Sequence, residues 1–468
     1  MILKKLVTTT KNKKQKLRYT AENKHLSVLF IGLLISSTIF AADSLNVKTL
    51  SLDSAISMGL LHSRQLQYST ARVNESKSSL KDLNNRIVPD VDLGVGYQRV
   101  SDIPTEYFNI PGIPFEIPST AFFPVILNNY SATASVSENV FNGFQWKYAV
   151  QNMQFAEKGA EFSLEDQKNN VSLTITMEYI NLFKLQRAHD AVEENIKQIS
   201  AHVDEVTDFT KHGLATQNDL LRTQLQLSNA QLSEIDIKSQ IQTESFNLDV
   251  MLGLPEGTGI GVDSNSILTN KSVQGLPFYL NNVQNRNDLK AADMQEKAAD
   301  ALISETKSSL YPHLTIGADY DYLRPNPRIV PPLDQFQPTW DIGFKISYSL
   351  TGLYDNKTKT DVSRARYAEA AAQYDDLSDN ARMEVNRDYL QYKESLEKID
   401  VAEKTLTQAE ENYKIVKSKY DNHIALLTDL LDADNYLLNA RINLISSKAD
   451  ATLAYYSMLK SAGAFTTK

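Results

Sequence analysis

The sequence contains the same plan twice. RIVPDVDLGVGY, which begins at Arg86, is similar to SLYPHLTIGADY, which begins at Ser309 and lies 223 residues later. Further along, NDLLRTQLQLSNAQL begins at Asn218 and is similar to TDLLDADNYLLNARI, which begins at Thr428 and lies 210 residues later. An internal repeat of this size predicts two copies of one structural unit rather than several unrelated domains.

Both halves are predicted to run in the order helix, strand, loop, strand, long helix, turn, helix. Ten of the 14 prolines fall in two loops, at 101–129 and 324–338. None falls inside a predicted helix, where each would cost about 3 kcal/mol. We therefore predict a first repeat over 43–255, a linker over 256–276 and a second repeat over 277–468.

Two segments in each half alternate between apolar and polar residues, at 90–98, 130–140, 313–322 and 340–350. Each has the length of a tilted membrane β-strand, about 9–11 residues. One face would contact lipid and the other water, although a half-buried sheet of a soluble protein also alternates. The aromatic residues predicted to face lipid are Tyr97, Tyr320, Tyr322, Trp340, Phe344 and Tyr348.

Four strands are too few to enclose a water-filled pore. A lipid bilayer does not tolerate the open edges of a sheet, because their backbone groups would lack hydrogen-bond partners. The strand count therefore predicts that several copies of the chain each contribute four strands to one shared barrel.

The predicted helices are long. From Val385 to Tyr420 the apolar residues recur with a mean spacing of 3.5, and 192–206 shows the same heptad pattern. The pattern breaks at 211–213 and at 421–423, which we interpret as the tips of two helical hairpins. Helices alone would fit a soluble coiled-coil scaffold equally well.

The N-terminus is typical of a secretory signal peptide over 1–42, with a basic stretch, the apolar run LSVLFIGLLISSTIF and a final Ala41-Ala42. This segment carries eight basic residues and one acidic residue, so its removal changes the net charge from −9 to −16. An acidic chain lacks the basic surface that nucleic-acid binding requires, and we predict no nucleic-acid partner.

The sequence offers no catalytic chemistry. It has no cysteine, which excludes disulfides and thiol catalysis, and it has no nucleotide-binding loop, nucleophile elbow or HExxH zinc motif. We predict no enzyme activity, no cofactor and no metal site.

At this point the chain resembles the TolC-like outer-membrane efflux protein family. The resemblance rests on the repeated plan and on three segments in the same order: SLDSAISMGL from Ser51, NRNDLKAADMQ from Asn285 and KYDNHIALLTDLLDADNYLLNARINL from Lys419. It implies an α+β membrane protein: a homotrimer whose twelve-stranded β-barrel, four strands per chain, continues into a long periplasmic α-helical barrel. The linker over 256–276 would lie in the equatorial belt of that assembly.

The resemblance also implies a location and partners. The protein would lie in the outer membrane of a Gram-negative cell, in contact with lipid and with a large periplasmic portion. It would dock with a periplasmic adaptor (membrane fusion) protein and an inner-membrane ABC or RND-type pump, in an efflux or type I secretion system. The alternative is a secreted coiled-coil scaffold or adhesin without channel activity.

Asp429 and Asp432 are the predicted channel constriction. Their segment TDLLDA matches the family's VDVLDA, which supplies rings of aspartates at the periplasmic tip. Residues three apart share a face of a helix, so both carboxylates could point into the bore. The alternative is that two aspartates near a helix start only interact with the helix dipole.

Tyr420 and Asp219 are the predicted latch of the closed tip. Tyr420 matches the tyrosine that members of the family use to bond the neighbouring hairpin, and Asp219 matches the aspartate that receives it. Ala425 occupies the position of a latch arginine, so one of the family's links is missing here.

Overall fold

The computed structural model describes residues 48–102, 104–121, 124–263 and 273–465. The predicted signal peptide over 1–42 lies outside the described residues, as does the part of the predicted linker at 264–272. Residues from Lys48 onward form one compact unit.

Both halves contain the predicted order of helix, strand, loop, strand, long helix, turn and helix, with a short strand and a further helix in front, and the first half adds two short strands in its loop. The elements of the first half are β1 (Lys48–Leu50), α1 (Leu52–His62), α2 (Arg64–Asn85), β2 (Asp90–Arg99), β3 (Tyr107–Phe108), β4 (Ile117–Pro118), β5 (Asn128–Phe141), α3 (Gln145–Lys211) and α4 (Gln217–Leu252). Those that follow are β6 (Ile260–Val262), α5 (Leu276–Asn282), α6 (Asn287–Lys307), β7 (His313–Arg324), β8 (Gln337–Ser347), α7 (Leu350–Asp421) and α8 (Leu427–Ser461).

Helices α3 and α7 dominate the molecule, with 67 and 72 residues. At 1.5 Å per residue each is a rod about 100 Å long. The sequence from Leu353 to Ala462 contains neither glycine nor proline, so nothing in α7 or α8 interrupts the helical hydrogen bonds. The predicted hairpin tips are confirmed, because short turns join α3 to α4 and α7 to α8.

Four of the strands form one antiparallel sheet in the order β2-β5-β7-β8. The pairing register places the predicted apolar residues side by side, for example in the row Leu93, Ala134, Tyr320 and Trp340. The neighbouring positions on the other face are mostly small, polar or acidic. The alternation read from the sequence is therefore matched across the whole sheet, with a single β-bulge near the end of β5.

The last predicted strand is too long at its C-terminal end. Strand β8 ends at Ser347, so Tyr348 lies beyond the sheet. The reason is local, because the hydroxyl of Ser349 accepts a hydrogen bond from the backbone N–H of Gly352 at 3.0 Å and caps the start of α7. Tyr348 is still exposed, but it belongs to the connection between strand and helix.

A second structural centre joins the halves. Strand β1 pairs in parallel with β6, which lies inside the predicted linker. The hydroxyl of the buried Tyr179 on α3 donates to the carbonyl oxygen of Leu50 at 2.7 Å. Apolar residues of α1, α3, α4 and both strands surround this contact, so β1 is fixed to the middle of α3.

None of the helices in the described ranges combines the length and the apolar character needed to cross a membrane.

Candidate constriction at the hairpin tips

The two hairpin tips are built alike. After α3, Gly213 adopts a positive φ of 71°, and after α7 the equivalent position is His423, with a positive φ of 59°. Glycine adopts this conformation freely, whereas histidine does so rarely. The His423 ring lies 5.3 Å, between ring centroids, from that of Phe209 on α3, so the two tips touch.

An aspartate caps the second helix of each hairpin. The backbone N–H of Thr216 donates to Asp219 Oδ2 at 3.0 Å, and that of Leu426 donates to Asp429 Oδ2 at 3.1 Å. In the first hairpin the Thr216 hydroxyl also accepts from the Asp219 backbone N–H at 3.1 Å, which completes a capping box. Leu426 has no hydroxyl and cannot make this second bond.

The structure places Asp429 and Asp432 on the solvent-exposed side of α8, three residues apart. Neither forms an ion pair with any basic residue in the part of the chain that the structure describes. The opposite side of the helix buries Leu430 and Leu431. A contact with the start of the helix is thus present for Asp429, whereas Asp432 makes no such contact in the described part of the chain.

The two predicted latch residues are close without being bonded. Tyr420 is 8% exposed, and no hydrogen bond joins it to Asp219 among the described residues. Burial raises the pKa of Tyr420 to about 12, and the negative charges of Glu205, Asp219 and Asp421 add to this. The carboxylate of Asp219 instead bonds Thr216, whose hydroxyl donates to it at 2.6 Å. Both bonds from Thr216 reach Oδ2 of Asp219, and the latch between Tyr420 and Asp219 stays a prediction for neighbouring hairpins.

An apolar cluster packs the two tips together. Ala425, at the position of the family's latch arginine, lies against this cluster, as does Phe209. Its buried members are Val206, Tyr420, Leu427, Leu430 and Leu431. Within one chain, apolar packing holds the two tips together.

Polar contacts above the tip were not predicted from the sequence. The Nε2 atom of Gln226 on α4 donates to Asn435 Oδ1 on α8 at 2.7 Å. Deeper in the same region, His202 on α3 faces Asp434 on α8. A signal was present, because Asp434 interrupts the otherwise apolar face formed by Leu427, Leu430 and Leu437 at steps of three and four.

A carboxyl pair joins the middle of α3 to the C-terminal part of α4. Burial raises the pKa of Glu178 to about 7, and a hydrogen bond to Glu244 and the charge of Glu244 contribute further. One Glu244 oxygen is enclosed and has no partner within the described ranges. Two adjacent carboxyls in such a place favour sharing one proton. No group of three potential metal ligands occurs among the residues that the structure describes.

The sheet presents two contrasting faces. Trp340 and Phe344 are 72% and 73% exposed on the apolar face, and Tyr97, Tyr320 and Tyr322 are also exposed there. The polar face carries a cross-sheet row of Asp92, Ser135, Asp319 and Asp341. Arg328, in the loop between β7 and β8, forms ion pairs with Asp341 and Asp321 over this face.

Comparison with known proteins gives the same result by sequence and by structure. The family model described as outer membrane efflux protein matches residues 55–254 and 281–464, once in each half. Among curated relatives, the probable efflux pump outer membrane protein TtgC of Pseudomonas putida is 22% identical over 349 residues, which are 72% of this chain and 70% of the relative.

Solved structures share the fold. The outer membrane protein VceC of Vibrio cholerae superposes with a TM-score of 0.73 at 19% identity, covering 88% of this chain and 96% of its own. The CmeC outer membrane channel of Campylobacter jejuni superposes with a TM-score of 0.71 at 15% identity, covering 88% and 86%. These structures confirm the predicted α+β, TolC-like fold, and with its two halves both matched by the family model the chain belongs to the outer membrane efflux protein family.

Proposed function

We propose that three copies of this protein form a passive exit duct for drugs, toxins or proteins, gated at its periplasmic tip. The protein is an outer-membrane efflux channel of a Gram-negative cell, in keeping with its family. The single observation that carries the trimeric duct is the four-stranded sheet, whose two outer strands have no further strand beside them among the described residues.

The directions of the outer strands allow sheets from several copies to close into a barrel. Strands β2 and β8 are the outer strands of an antiparallel sheet of four, so they run in opposite directions. The β8 edge of one copy and the β2 edge of the next would therefore pair antiparallel. Three copies give twelve strands without a remaining edge, which is the condition that a bilayer sets.

The two faces of the sheet fit lipid outside and water inside. Val95 is 92% exposed and Leu93 is 81% exposed on the apolar face. Side chains this apolar are not left in water over a whole sheet in a soluble protein. The acidic row on the opposite face would line a hydrated pore. No observation favours the alternative of a secreted scaffold or adhesin.

The constriction would form where three copies of α8 approach one another at the tip. Asp429 and Asp432 are exposed and free of ion pairs in the described part of one chain, so three copies would bring six carboxylates around the axis. A ring of carboxylates attracts cations and repels anions. Tyr420 and Asp219 would complete the latch between neighbouring copies, where the single chain shows no bond.

Energy and cargo selection would come from partners. The chain carries no nucleotide-binding loop, so a passive duct needs an inner-membrane pump of the ABC or RND type and a periplasmic adaptor (membrane fusion) protein to reach it. The names of the relatives TtgC and ArpC, both efflux pump outer membrane proteins of Pseudomonas putida, support an efflux system. A type I secretion system is the other arrangement that this fold serves.

The test uses the full chain after export to the outer membrane. Membrane fractions should contain a heat-sensitive trimer, and the purified trimer should conduct ions across a planar lipid bilayer. A stable monomer in buffer without detergent, together with no conductance, would overturn the proposal.

A further inference from the structure

A titratable pair is buried between the two hairpins, above the constriction. His202 Nε2 on α3 lies 3.4 Å from Asp434 Oδ2 on α8, and the two side chains are 4% and 0% exposed. Neither that nitrogen nor either carboxylate oxygen has a hydrogen-bond partner in the described ranges. Asp434 lies seven residues into α8, about 10 Å from the tip.

The surroundings contain little that could replace either partner. On α3, Glu205 Oε2 lies 3.8 Å from His202 Nδ1 at the rim of the site. On α7, burial raises the pKa of Tyr413 to about 12, and the nearby carboxylates of Asp434 and Asp421 contribute. A neutral phenol of this kind supplies no positive charge.

The remaining neighbours are already engaged. Arg441 on α8 is bound to Glu194 on α3 at 2.8 Å. Helix α4 contributes the uncharged Gln226, whose amide bonds Asn435 beside Asp434. His202 is therefore the one cationic group within ion-pair distance of Asp434 among the residues that the structure describes.

Burial sets the charge of the pair. A lone carboxylate or a lone imidazolium in the interior is strongly disfavoured, whereas a pair that holds one proton is neutral overall. This is true whether the proton resides on the imidazole or on the carboxyl group. Removing that proton leaves a buried anion, and adding a second leaves a buried cation.

We propose that His202 and Asp434 form a proton-binding clasp, which positions the α7–α8 hairpin against α3 and makes opening of the tip depend on pH. The inference rests on the proposed function, because α8 carries Asp429 and Asp432 at the constriction. Widening that constriction requires α8 to move away from α3, and this movement would part the clasp. The clasp holds the tip closed most firmly while it keeps a single proton.

The test measures the open-to-closed ratio of single trimers in planar bilayers from pH 5 to pH 9. All variants carry Asp429→Asn and Asp432→Asn, so that the constriction itself does not titrate. With the clasp intact, the ratio should be lowest near neutral pH and rise on the order of tenfold toward either extreme. His202→Gln combined with Asp434→Asn, which replaces the clasp by two neutral amides, should give a flat profile.

Single substitutions distinguish the acid side of the pH profile from its alkaline side. Asp434→Asn leaves His202 with only the partly exposed Glu205 carboxylate near it, so opening should increase only at acid pH. His202→Gln leaves Asp434 alone, so opening should increase at neutral and alkaline pH and return to the closed level in acid. The matched control is Asp204→Asn, an exposed carboxylate two residues along α3, which should keep the parent profile.

Thermal stability provides a second test of the clasp that does not depend on ion conductance. Thermal unfolding of the same purified variants should show the parent losing stability on both sides of neutral pH relative to the double amide variant. The clasp would be overturned if the parent and the double variant showed the same pH dependence, both in unfolding and in conductance. Absence of any conductance would instead overturn the proposed duct, and the unfolding profiles would still decide on the clasp.

Discussion

The backbone N–H of Leu426 donates to the carboxylate of Asp429 at 3.1 Å, which assigns this aspartate to the helix start as well as to the predicted constriction. The equivalent contact in the first half, from Thr216 to Asp219, shows that the repeat preserves the cap. Asp429 therefore has a structural role as the cap of α8, separate from any role in ion conduction. Asp432, which has no such contact, is the more selective probe of the pore.

Replacing Leu426 with Thr should stabilise the protein by about 1 kcal/mol, because the new hydroxyl can accept from the backbone N–H of Asp429 as Thr216 does in the first half. The measurement is thermal unfolding of the detergent-solubilised protein. Thr216→Leu is the mirror control and should destabilise by a similar amount. A loss of stability in Leu426→Thr would mean that the exposed Leu426 packs against another chain.

Replacing Asp432 with Asn should lower the preference of the channel for cations while leaving the unfolding temperature unchanged. Asp429→Asn should lower both the cation preference and the unfolding temperature, because it also weakens the cap on α8. The measurement is the reversal potential of reconstituted trimers in a salt gradient. Asp236→Asn, about 30 Å along α4 from the tip, is the matched control. Unchanged selectivity in the Asp432 variant would remove it from the constriction.

Replacing Glu178 with Gln should stabilise the protein at pH 8 and not at pH 4.5. Burial and Glu244 raise the pKa of Glu178 from 4.5 to about 7, so the folded protein binds more protons than the unfolded chain between those values. Stability therefore falls as the pH rises through this window, and Gln removes the fall.

The measurement for Glu178→Gln is the unfolding temperature at several pH values. The control is Glu193→Gln. The pKa of Glu193 is lowered, because its carboxylate accepts a hydrogen bond from Lys197 and is stabilised by the positive charge of Lys197. A Glu178 variant that follows the wild-type pH dependence would show that the pair with Glu244 does not share a proton.

Local sequence patterns predicted the helices and strands, whereas contacts between residues far apart in the sequence form the candidate site. The alternation in 313–322 and the heptads in α7 report the environment of each side chain along its own element, so strands and helices could be placed. His202 and Asp434 are 232 residues apart, and only the packing of α3 against α8 brings them together. No periodicity in the sequence specifies that contact.

The error in the sheet has a local cause. Tyr348 continues the apolar alternation past the last strand pairing, where the Ser349 cap has already begun α7. A short-range hydrogen bond prevailed there over the pattern. The latch between Tyr420 and Asp219 stays a prediction, because it would join neighbouring copies.

Replacing Phe344 with Arg should reduce the amount of trimer in the outer membrane, because a charge on the lipid face near the middle of the bilayer costs about 2–4 kcal/mol. Phe344 lies opposite Ile316 on the apolar face. The matched control is Thr315→Arg, one position along β7 on the polar face, which should assemble normally. The measurement is the heat-sensitive trimer band in membrane fractions, and equal losses in both variants would contradict the assignment of the two faces.

Replacing Tyr420 with Phe should raise the open probability of the trimer with little change in the stability of each chain. The ring would keep its place in the apolar tip cluster, so the variant removes only the hydroxyl. That hydroxyl makes no bond to Asp219 within the described chain, and its raised pKa keeps it a neutral donor at physiological pH, available to a neighbouring copy. Single-channel recording gives the open probability. Tyr420→Ala, which also opens a cavity, should destabilise by about 3–5 kcal/mol and serves as the packing control. An unaltered open probability in Tyr420→Phe would leave packing as the only role of Tyr420.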